Sequence, residues 1–396
     1  MADLKPRLET IRDQLAPSPD AFDRLARRRA RKHRRQRVAV GAMALAVAAA
    51  GVTVVTRAFL GEDRQRASSP AVRPVDARVA GNLPIDFASS AASGFGSVWI
   101  AQSANDGTNT GWIHRVDPST GETIARIPID TIPSWEVGGG AMAAGAGSLW
   151  VGGAVDRPDK PGLPKADAAV TRIDPETNSV VAVVELGGDF AADIGVEATG
   201  VWVSLFGDDG IEVVRLDPEA GAVTARIPME SSYARELFVV DRTIWLRERK
   251  THGSVVEGTI LTQIDPATNS IARSVDLGGR IGSMTVFDGA IWAQRYGYEE
   301  GDALLQIDPH TGTHVGEPIH FDGELNYIAG GEGGIWGVTA LDPAASLVRV
   351  DVSSGTAESE VELDREEEPI DVVVGPGSIW VLDYIDSVIW VELRAA

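Results

Sequence analysis

The chain contains no cysteine among its 396 residues. This absence excludes disulfide bonds, zinc sites built on thiolates and catalysis by a thiol nucleophile. Histidine is scarce as well, with six residues, and the sequence indicates no Gly-rich phosphate loop, nucleophile elbow or metal-binding His-x-x-x-His helix. Carboxylates, hydroxyls and a few arginines are therefore the main side chains left for binding or chemistry.

Positive charge is also scarce outside the N-terminal region. Residues 1–37 carry 12 Lys or Arg against 5 Asp or Glu, whereas residues 58–396 carry 23 against 52. A domain this acidic repels phosphate groups, so we expect no nucleic-acid partner for it.

Only one charge-free apolar run, the nineteen residues 38–56, is long enough to span a bilayer. The basic residues before it place the N-terminus in the cytoplasm and the remainder outside the cell. We therefore predict a single-pass cell-membrane protein, and a cleaved signal peptide is the competing interpretation of the run. The predicted parts are a basic helical tail (1–37), a transmembrane helix (38–56), a linker (57–74) and an extracytoplasmic domain (75–396).

The tail has an apolar stripe of its own. Leu4, Leu8, Ile11 and Leu15 are spaced as one face of an amphipathic helix. Such a stripe offers a docking surface, and we expect a cytoplasmic partner to use it.

Tryptophan is infrequent but recurs at a regular spacing in the large domain. Seven tryptophans, each preceded by an apolar residue, lie 43 to 52 residues apart, and an aspartate follows six of them, five times within an Asp-Pro turn. A period near 45 residues with about four short strands per unit predicts an all-β, seven-bladed β-propeller. The two columns are Trp99, Trp150, Trp202, Trp245, Trp292, Trp336 and Trp380, and Asp117, Asp174, Asp217, Asp265, Asp308 and Asp351.

The last unit ends one strand short. Residues 75–79 read VDARV and match residues 223–227, VTARI, which form an outer strand of the third unit. We predict that this N-terminal strand completes the last blade and closes the ring.

The repeated pattern W-V … (I/V/L)-D-P-x-T-(G/N)-x-(V/I) … (I/V)-P resembles that of the YVTN and virginiamycin B lyase-like β-propellers, over about residues 75–396. The resemblance implies the WD40/YVTN repeat-like fold. For the lyases it also implies a divalent metal held by His and Glu near the channel. The tail, arginine-rich stretch and span are similar to actinobacterial membrane proteins associated with extracytoplasmic signalling.

The tryptophans and turn aspartates are expected to build the fold, with each ring packed between blades and each aspartate binding its own turn. Ligand-binding candidates come instead from the position nine residues before each tryptophan, which is mostly polar and is followed by an apolar position. That alternation places the polar column near the channel mouth. The column consists of Ser90, Ala141, Asp193, Glu236, Ser283, Tyr327 and Asp371.

Three carboxylates in this column, Asp193, Glu236 and Asp371, are candidates to hold a divalent cation or a cationic ligand. A solvated channel lined by polar residues is the alternative interpretation. Trp135 and Arg235, in loops between blades at the same rim, are further ligand-binding candidates.

Extra residues at 156–165 and 247–253 enlarge loops of that same face, where binding usually occurs. The sequence therefore favours an extracytoplasmic binding, sensor or interaction module. A metal-dependent lyase of the streptogramin type, using the three carboxylates, is the alternative function, and a purely structural scaffold is a third.

Overall fold

A computed structural model describes most of the propeller. In the described part every regular element is a β-strand, and no helix there is long and apolar enough to cross a membrane. The predicted tail, transmembrane helix and linker lie outside the described residues. The described ranges are 75–103, 110–131, 141–156, 166–207, 210–230, 234–252, 255–297, 302–320, 325–339, 345–363, 369–383 and 387–395.

Short apolar runs separated by turn residues form antiparallel strands, as period-two alternation dictates. In chain order these are β1 (Val75–Leu83), β2 (Ala88–Gly94), β3 (Ser97–Ser103), β4 (Gly111–Val116), β5 (Thr123–Ile129), β6 (Met142–Gly145), β7 (Ser148–Asp156), β8 (Ala166–Asp174), β9 (Ser179–Glu185), β10 (Phe190–Glu197), β11 (Gly200–Gly207), β12 (Gly210–Leu216), β13 (Val223–Pro228), β14 (Ala234–Val240), β15 (Thr243–His252), β16 (Val255–Asp265), β17 (Ser270–Asp276), β18 (Ile281–Phe287), β19 (Ala290–Arg295), β20 (Ala303–Ile307), β21 (His314–His320), β22 (Leu325–Gly331), β23 (Gly334–Thr339), β24 (Ala345–Asp351), β25 (Thr356–Leu363), β26 (Pro369–Gly375), β27 (Ser378–Asp383) and β28 (Val388–Ala395).

The strands of the described residues form seven four-stranded sheets, which confirms the predicted seven-bladed propeller. Each of blades 1 to 6 uses four consecutive strands, from the innermost to the outermost, beginning with β2–β5 and ending with β22–β25. Blade 7 combines β26, β27 and β28 with β1 as its outermost strand.

Closure of the ring follows the predicted route. Strand β1 pairs antiparallel with β28, so that Arg78 lies opposite Glu392, and the Arg78 Nη2 to Glu392 Oε2 distance is 2.8 Å. The predicted strand at 75–79 is confirmed and continues to Leu83. Hydrogen bonds between the first and last strands of the domain thus close the ring of blades.

The core lies between neighbouring blades. Six of the seven repeated tryptophans are fully buried, and Trp292 is 4% exposed. Trp202 of blade 3, for example, packs with Leu237 and Leu246 of blade 4. Each ring removes on the order of 200 Å² from water. The tryptophans therefore hold adjacent blades together, as the sequence predicts.

The turn aspartates bind their own turns, which is also as predicted. Oδ1 of Asp217 accepts the N–H groups of Glu219 at 2.8 Å and of Ala220 at 2.9 Å. These Asx turns fix the link between the third and fourth strands. In the same way, the N–H two residues on is accepted by Asp117, Asp174, Asp265, Asp308 and Asp351.

An arginine ties some of these turns to the preceding blade. Arg215 lies over the ring of Trp202, with 4.9 Å from its guanidinium carbon to the ring centroid. Its Nη1 donates to the Pro266 carbonyl at 2.8 Å and to Asn269 Oδ1 at 2.9 Å, both in the turn of blade 4. Between blades 1 and 2 the same contacts join Arg115 to Trp99, Pro175 and Asn178.

Candidate ligand-binding channel

The polar column falls at an irregularity in the innermost strands. Six of these strands shift register at or beside the column, for instance between Ala191 and Asp193 in β10 and between Pro369 and Asp371 in β26. A β-bulge leaves one residue out of the ladder, bends the strand and changes the direction of a side chain. The repeat therefore presents one polar side chain per bulge.

Asp193 bridges two blades through backbone donors. Its Oδ1 accepts the N–H of Ile194 at 2.8 Å, and its Oδ2 accepts the N–H of Leu237 in blade 4 at 2.7 Å. Leu237 is the apolar residue that follows the column position of its own blade. The carboxylate is thus fixed in the gap between two innermost strands.

Two other members of the column form the same bridge. Asp371 accepts the N–H of Val372 at 2.8 Å and that of Ala91 in blade 1. Ser283 Oγ accepts the N–H of Ile328 in blade 6 at 3.1 Å. Part of the column therefore serves the joints between blades, which the sequence did not predict.

The three carboxylates interact electrostatically. Burial, opposed by the two backbone donors and assisted by the charges of Glu236 and Asp371, raises the pKa of Asp193 to about 7. Burial likewise raises the pKa of Asp371 to about 7, with a contribution from Glu236. Blades 3, 4 and 7 each supply one of these interacting groups.

Glu236 has a charged partner. Arg247 donates from Nε to Glu236 Oε2 at 2.9 Å and from Nη2 to Oε1 at 2.7 Å, a two-point contact, and from Nη1 to the Ile281 carbonyl at 3.2 Å. The arginine side chain is 8% exposed and the glutamate side chain 29%. This buried guanidinium is a site residue that the sequence analysis placed only within an enlarged loop.

A signal for Arg247 exists in the repeat. It stands two residues after a repeated tryptophan, where the other units have small, apolar or uncharged residues. A lone cation in such a column indicates a partner of opposite charge nearby. The other units have Ala101, Gly152, Ser204, Gln294, Val338 and Leu382 at this position.

The geometry gives no support to a divalent cation held by the three carboxylates. Among the described residues, no three His, Asp or Glu side chains converge as metal ligands. Both oxygens of Asp193 accept backbone N–H groups, and both oxygens of Glu236 bind Arg247. The metal-dependent lyase alternative therefore gains nothing from this arrangement.

The remaining candidates are placed as follows. Ser90 is 2% exposed, and its Oγ has no hydrogen-bond partner among the described residues. Tyr327 is 38% exposed with φ of 46°, a left-handed conformation at its bulge. Arg235 belongs to strand β14 and not, as predicted, to the loop before it. Trp135 lies outside the described residues.

The enlarged segment of blade 4 is a hairpin and not an irregular loop. Strands β15 and β16 stay paired as far as His252 opposite Val255, and Lys250 Nζ lies 2.7 Å from Asp276 Oδ2. The hairpin extends on the face where Asp193 and Glu236 lie. Of the enlarged segment in blade 2, residues 157–165 are outside the described residues.

A separate groove of about 730 Å³ lies at the turn end, between blades 1 and 2. Arg115 and Asp174 line it, but both are held by the turn contacts described above. This groove is remote from the channel carboxylates and belongs to the joint between the blades.

No family model matches the chain, and no curated protein matches it. Among solved structures, a chain of Kuenenia stuttgartiensis hydrazine synthase is similar, with a TM-score of 0.57 and 13% identity, covering 85% of this chain and 100% of that chain. An identity this low shows a shared fold and nothing about activity. The resemblance to YVTN and virginiamycin B lyase-like repeats rests on the sequence pattern.

Proposed function

We propose that the chain is a membrane-anchored, extracytoplasmic binding module whose propeller takes a cationic group of a ligand or partner at the channel. The observation that carries the proposal is the set of three interacting carboxylates, Asp193, Glu236 and Asp371, supplied by three blades. Arg247 pairs with one of them. The other two accept backbone N–H groups, and because their pKa is about 7 each is partly ionised at neutral pH, so a bound cation would favour the charged form of both.

A cation suits this channel better than a coordinated metal. Coordination requires several free carboxylate oxygens at short distance, and the oxygens of Asp193 and Glu236 already accept hydrogen bonds. An ammonium or guanidinium group gains from the negative potential without displacing these donors. Because burial removes part of the water around Asp193 and Asp371, their potential is stronger than that of carboxylates on an open surface.

The anchoring part of the proposal rests on residues 38–56 and the arginines before them. With a single span, binding outside could reach the cytoplasmic tail, whose apolar stripe suits a partner. The similarity of this region to actinobacterial proteins of extracytoplasmic signalling supports a sensor role.

Binding is tested with the full chain in detergent, by following tryptophan fluorescence during thermal unfolding. The probes are spermidine and tetralysine, with Ca²⁺ and Mg²⁺ for comparison. We expect the two organic cations to raise the melting temperature of the wild type by mass action, and to lose this effect in Asp193→Asn/Asp371→Asn.

The matched control is Asp217→Asn/Asp308→Asn, which removes the same formal charge at the turn end. It should keep the wild-type response. A shift that persists in the channel variant, or disappears equally in both variants, contradicts a channel site. A response to Ca²⁺ or Mg²⁺ that the channel variant loses would replace the cationic ligand with a metal.

The absence of cysteine makes topology easy to test. Ser18→Cys in the tail and Ser69→Cys in the linker each give one thiol for a membrane-impermeant maleimide on intact cells. We expect labelling at position 69 alone. Labelling at position 18, or release of the labelled protein from the membrane, contradicts the anchored orientation.

A further inference from the structure

The outermost strand of blade 2 differs from its counterparts in the other blades. Strand β9 reads SVVAVVE, with five uncharged apolar residues at 180–184 and no proline, lysine or arginine. Val180, Val181 and Val183 are 38%, 51% and 42% exposed. Its inner edge pairs with β8, and no other strand of the described residues pairs with its outer edge.

Register identifies the residue that blade 2 lacks. Ala182 lies opposite Arg172, as Ala125 lies opposite Arg115 and Ala225 opposite Arg215. The next residue is Val183 in blade 2 but arginine in blades 1 and 3. A valine thus replaces a charged residue at the middle of an edge strand.

The other outermost strands carry the usual protection. Charged side chains and proline on a sheet edge prevent pairing with another chain. An uncharged edge rich in β-branched residues, by contrast, favours strand addition. The protecting residues elsewhere are Arg126 and Pro128 in β5, Arg226 and Pro228 in β13, Arg273 in β17, Glu317 and Pro318 in β21, Glu362 in β25, and Arg78 in β1.

The strand is complementary to a second copy of itself. Two valines precede Ala182 and two valines follow it, so the sequence around this residue is symmetric. Antiparallel pairing centred on Ala182 places Val181 opposite Val183 of the second copy, and Val180 opposite Val184. Glu185 then lies opposite Ser179, so no like charges meet. That charge match matters in a domain where carboxylates outnumber cations by 52 to 23 over residues 58–396.

We propose that β9 is a homodimer interface, in which two copies join their blade 2 sheets across a two-fold axis at Ala182. The contact is isologous, because the same strand is used by both copies. One strand per copy buries much less than the roughly 1,600 Å² of a standard stable interface. The dimer is therefore concentration-dependent, and a shared membrane would favour it by raising the effective concentration.

Single-cysteine cross-linking tests this interface, since the wild type has no thiol. The full chain carrying Ala182→Cys is oxidised with copper-phenanthroline in detergent and run on a non-reducing gel. Residues opposite each other in antiparallel strands have Cβ atoms about 4.5–5.5 Å apart, close to the distance that a disulfide needs. We expect most of this variant to become covalent dimer.

Two matched variants give the rate of cross-linking that results from random collision alone. Ala125→Cys and Ala225→Cys occupy the equivalent half-buried positions of blades 1 and 3, and we expect at least tenfold slower dimer formation from them. Adding Val183→Arg to Ala182→Cys installs the residue that those blades carry. It should reduce cross-linking to the control rate while leaving the melting temperature unchanged.

The proposal is overturned if Ala182→Cys cross-links no faster than the two controls. It is also overturned if the added arginine leaves the rate unchanged in a protein that is still folded. Sedimentation velocity of the cysteine-free chain gives an independent readout, with a weight-average mass that rises with concentration in the wild type and not in Val183→Arg.

Discussion

Two sets of aspartates occupy opposite ends of the propeller, and their pKa values shift in opposite directions. At the turn end, hydrogen bonds within each turn lower the pKa of Asp174 and Asp217 below its ordinary value. In the channel, burial raises the pKa of Asp193 and Asp371 to about 7. Both sets accept two backbone N–H groups, so the hydrogen bonds alone do not explain the difference.

The decisive difference is access to water. A carboxylate at a solvated turn keeps its hydration and gains the turn bonds, so its charged form is favoured. In the channel the same bonds only partly replace the lost hydration, and neighbouring carboxylates add repulsion. The turn aspartates therefore stabilise the fold, whereas the channel aspartates reduce stability at neutral pH. Residues that reduce stability are the better candidates for function.

The largest change in this comparison is expected from removing the arginine that pairs with Glu236. Arg247→Ala leaves Glu236 without its partner, beside two other carboxylates, and leaves the Ile281 carbonyl without its donor. Breaking a pair this enclosed typically costs about 3–5 kcal/mol. Urea unfolding at pH 7.5 measures the loss.

A paired replacement separates charge from packing. Glu236→Gln/Arg247→Met removes both charges while keeping similar volume, and we expect it to be much less destabilising than Arg247→Ala. Equal losses in the two variants would show that Arg247 acts by packing and that the channel charges are not coupled.

The second prediction concerns pH. The folded-state pKa of about 7 for Asp193 and Asp371 lies above the ordinary 3.8, so the folded protein holds these protons more tightly than the unfolded chain. Their contribution to stability is complete below about pH 4 and is lost as the pH rises through 7. In Asp193→Asn/Asp371→Asn the loss between pH 5 and 8 should be smaller, by on the order of 2 kcal/mol for each group.

Urea unfolding at pH 5, 6, 7 and 8 gives the slope of the unfolding free energy against pH. This slope is more informative than the free energy at any single pH, because asparagine also alters a hydrogen bond. The turn variant Asp217→Asn is the control. Its carboxylate has a lowered pKa and stays ionised across this range, so the variant should keep the wild-type slope. A slope unchanged in the channel variant would show that Asp193 and Asp371 are ionised throughout.

The features that the sequence predicted correctly are those set by local, repeated signals. The tryptophan spacing, the Asp-Pro turns and the match of residues 75–79 to a fourth strand each depend on a few neighbouring residues. The polar column was chosen from alternation along a strand, but in six innermost strands it falls at or beside a register shift, where that alternation is interrupted.

The contacts that the sequence did not predict join residues of different strands or blades. The pairing of Glu236 with Arg247 depends on the register of β14 against β15, which a bulge changes between Ala234 and Leu237. The bond from Leu237 to Asp193 depends on how two blades meet. Neither the strand register nor the contact between blades is encoded in local composition. The sequence therefore suggested a metal site, although the oxygens of Asp193 and Glu236 accept hydrogen bonds from protein groups.

The third prediction moves to the turn end. Arg215→Ala removes the contact with the Trp202 ring and the bonds to Pro266 and Asn269 that join blades 3 and 4. Hydrogen bonds from a charged donor are worth about 1.5–3 kcal/mol, so we expect a loss in that range. Arg215→Lys should recover only part of it, because lysine lacks the planar fork that stacks and bonds at once. If lysine recovered all of the lost stability, the positive charge alone would explain the contribution of Arg215.

The smallest effect should come from a turn aspartate itself. Asp217→Ala removes the acceptor for two N–H groups, but those groups lie at the surface, where water replaces the lost bonds. The melting temperature should fall by less than in Arg215→Ala.

Glu219→Ala is the matched control, since it removes the same charge from the same turn and keeps the backbone donor. If both variants behave alike, the turn aspartates contribute only through charge, and the hydrogen bonds of Asp217 add nothing to the stability of the turn. A larger fall of the melting temperature in Asp217→Ala shows that bonds from backbone N–H groups to an aspartate stabilise the fold at a solvated turn. In the channel, bonds of the same type hold a carboxylate whose charged form is unfavourable.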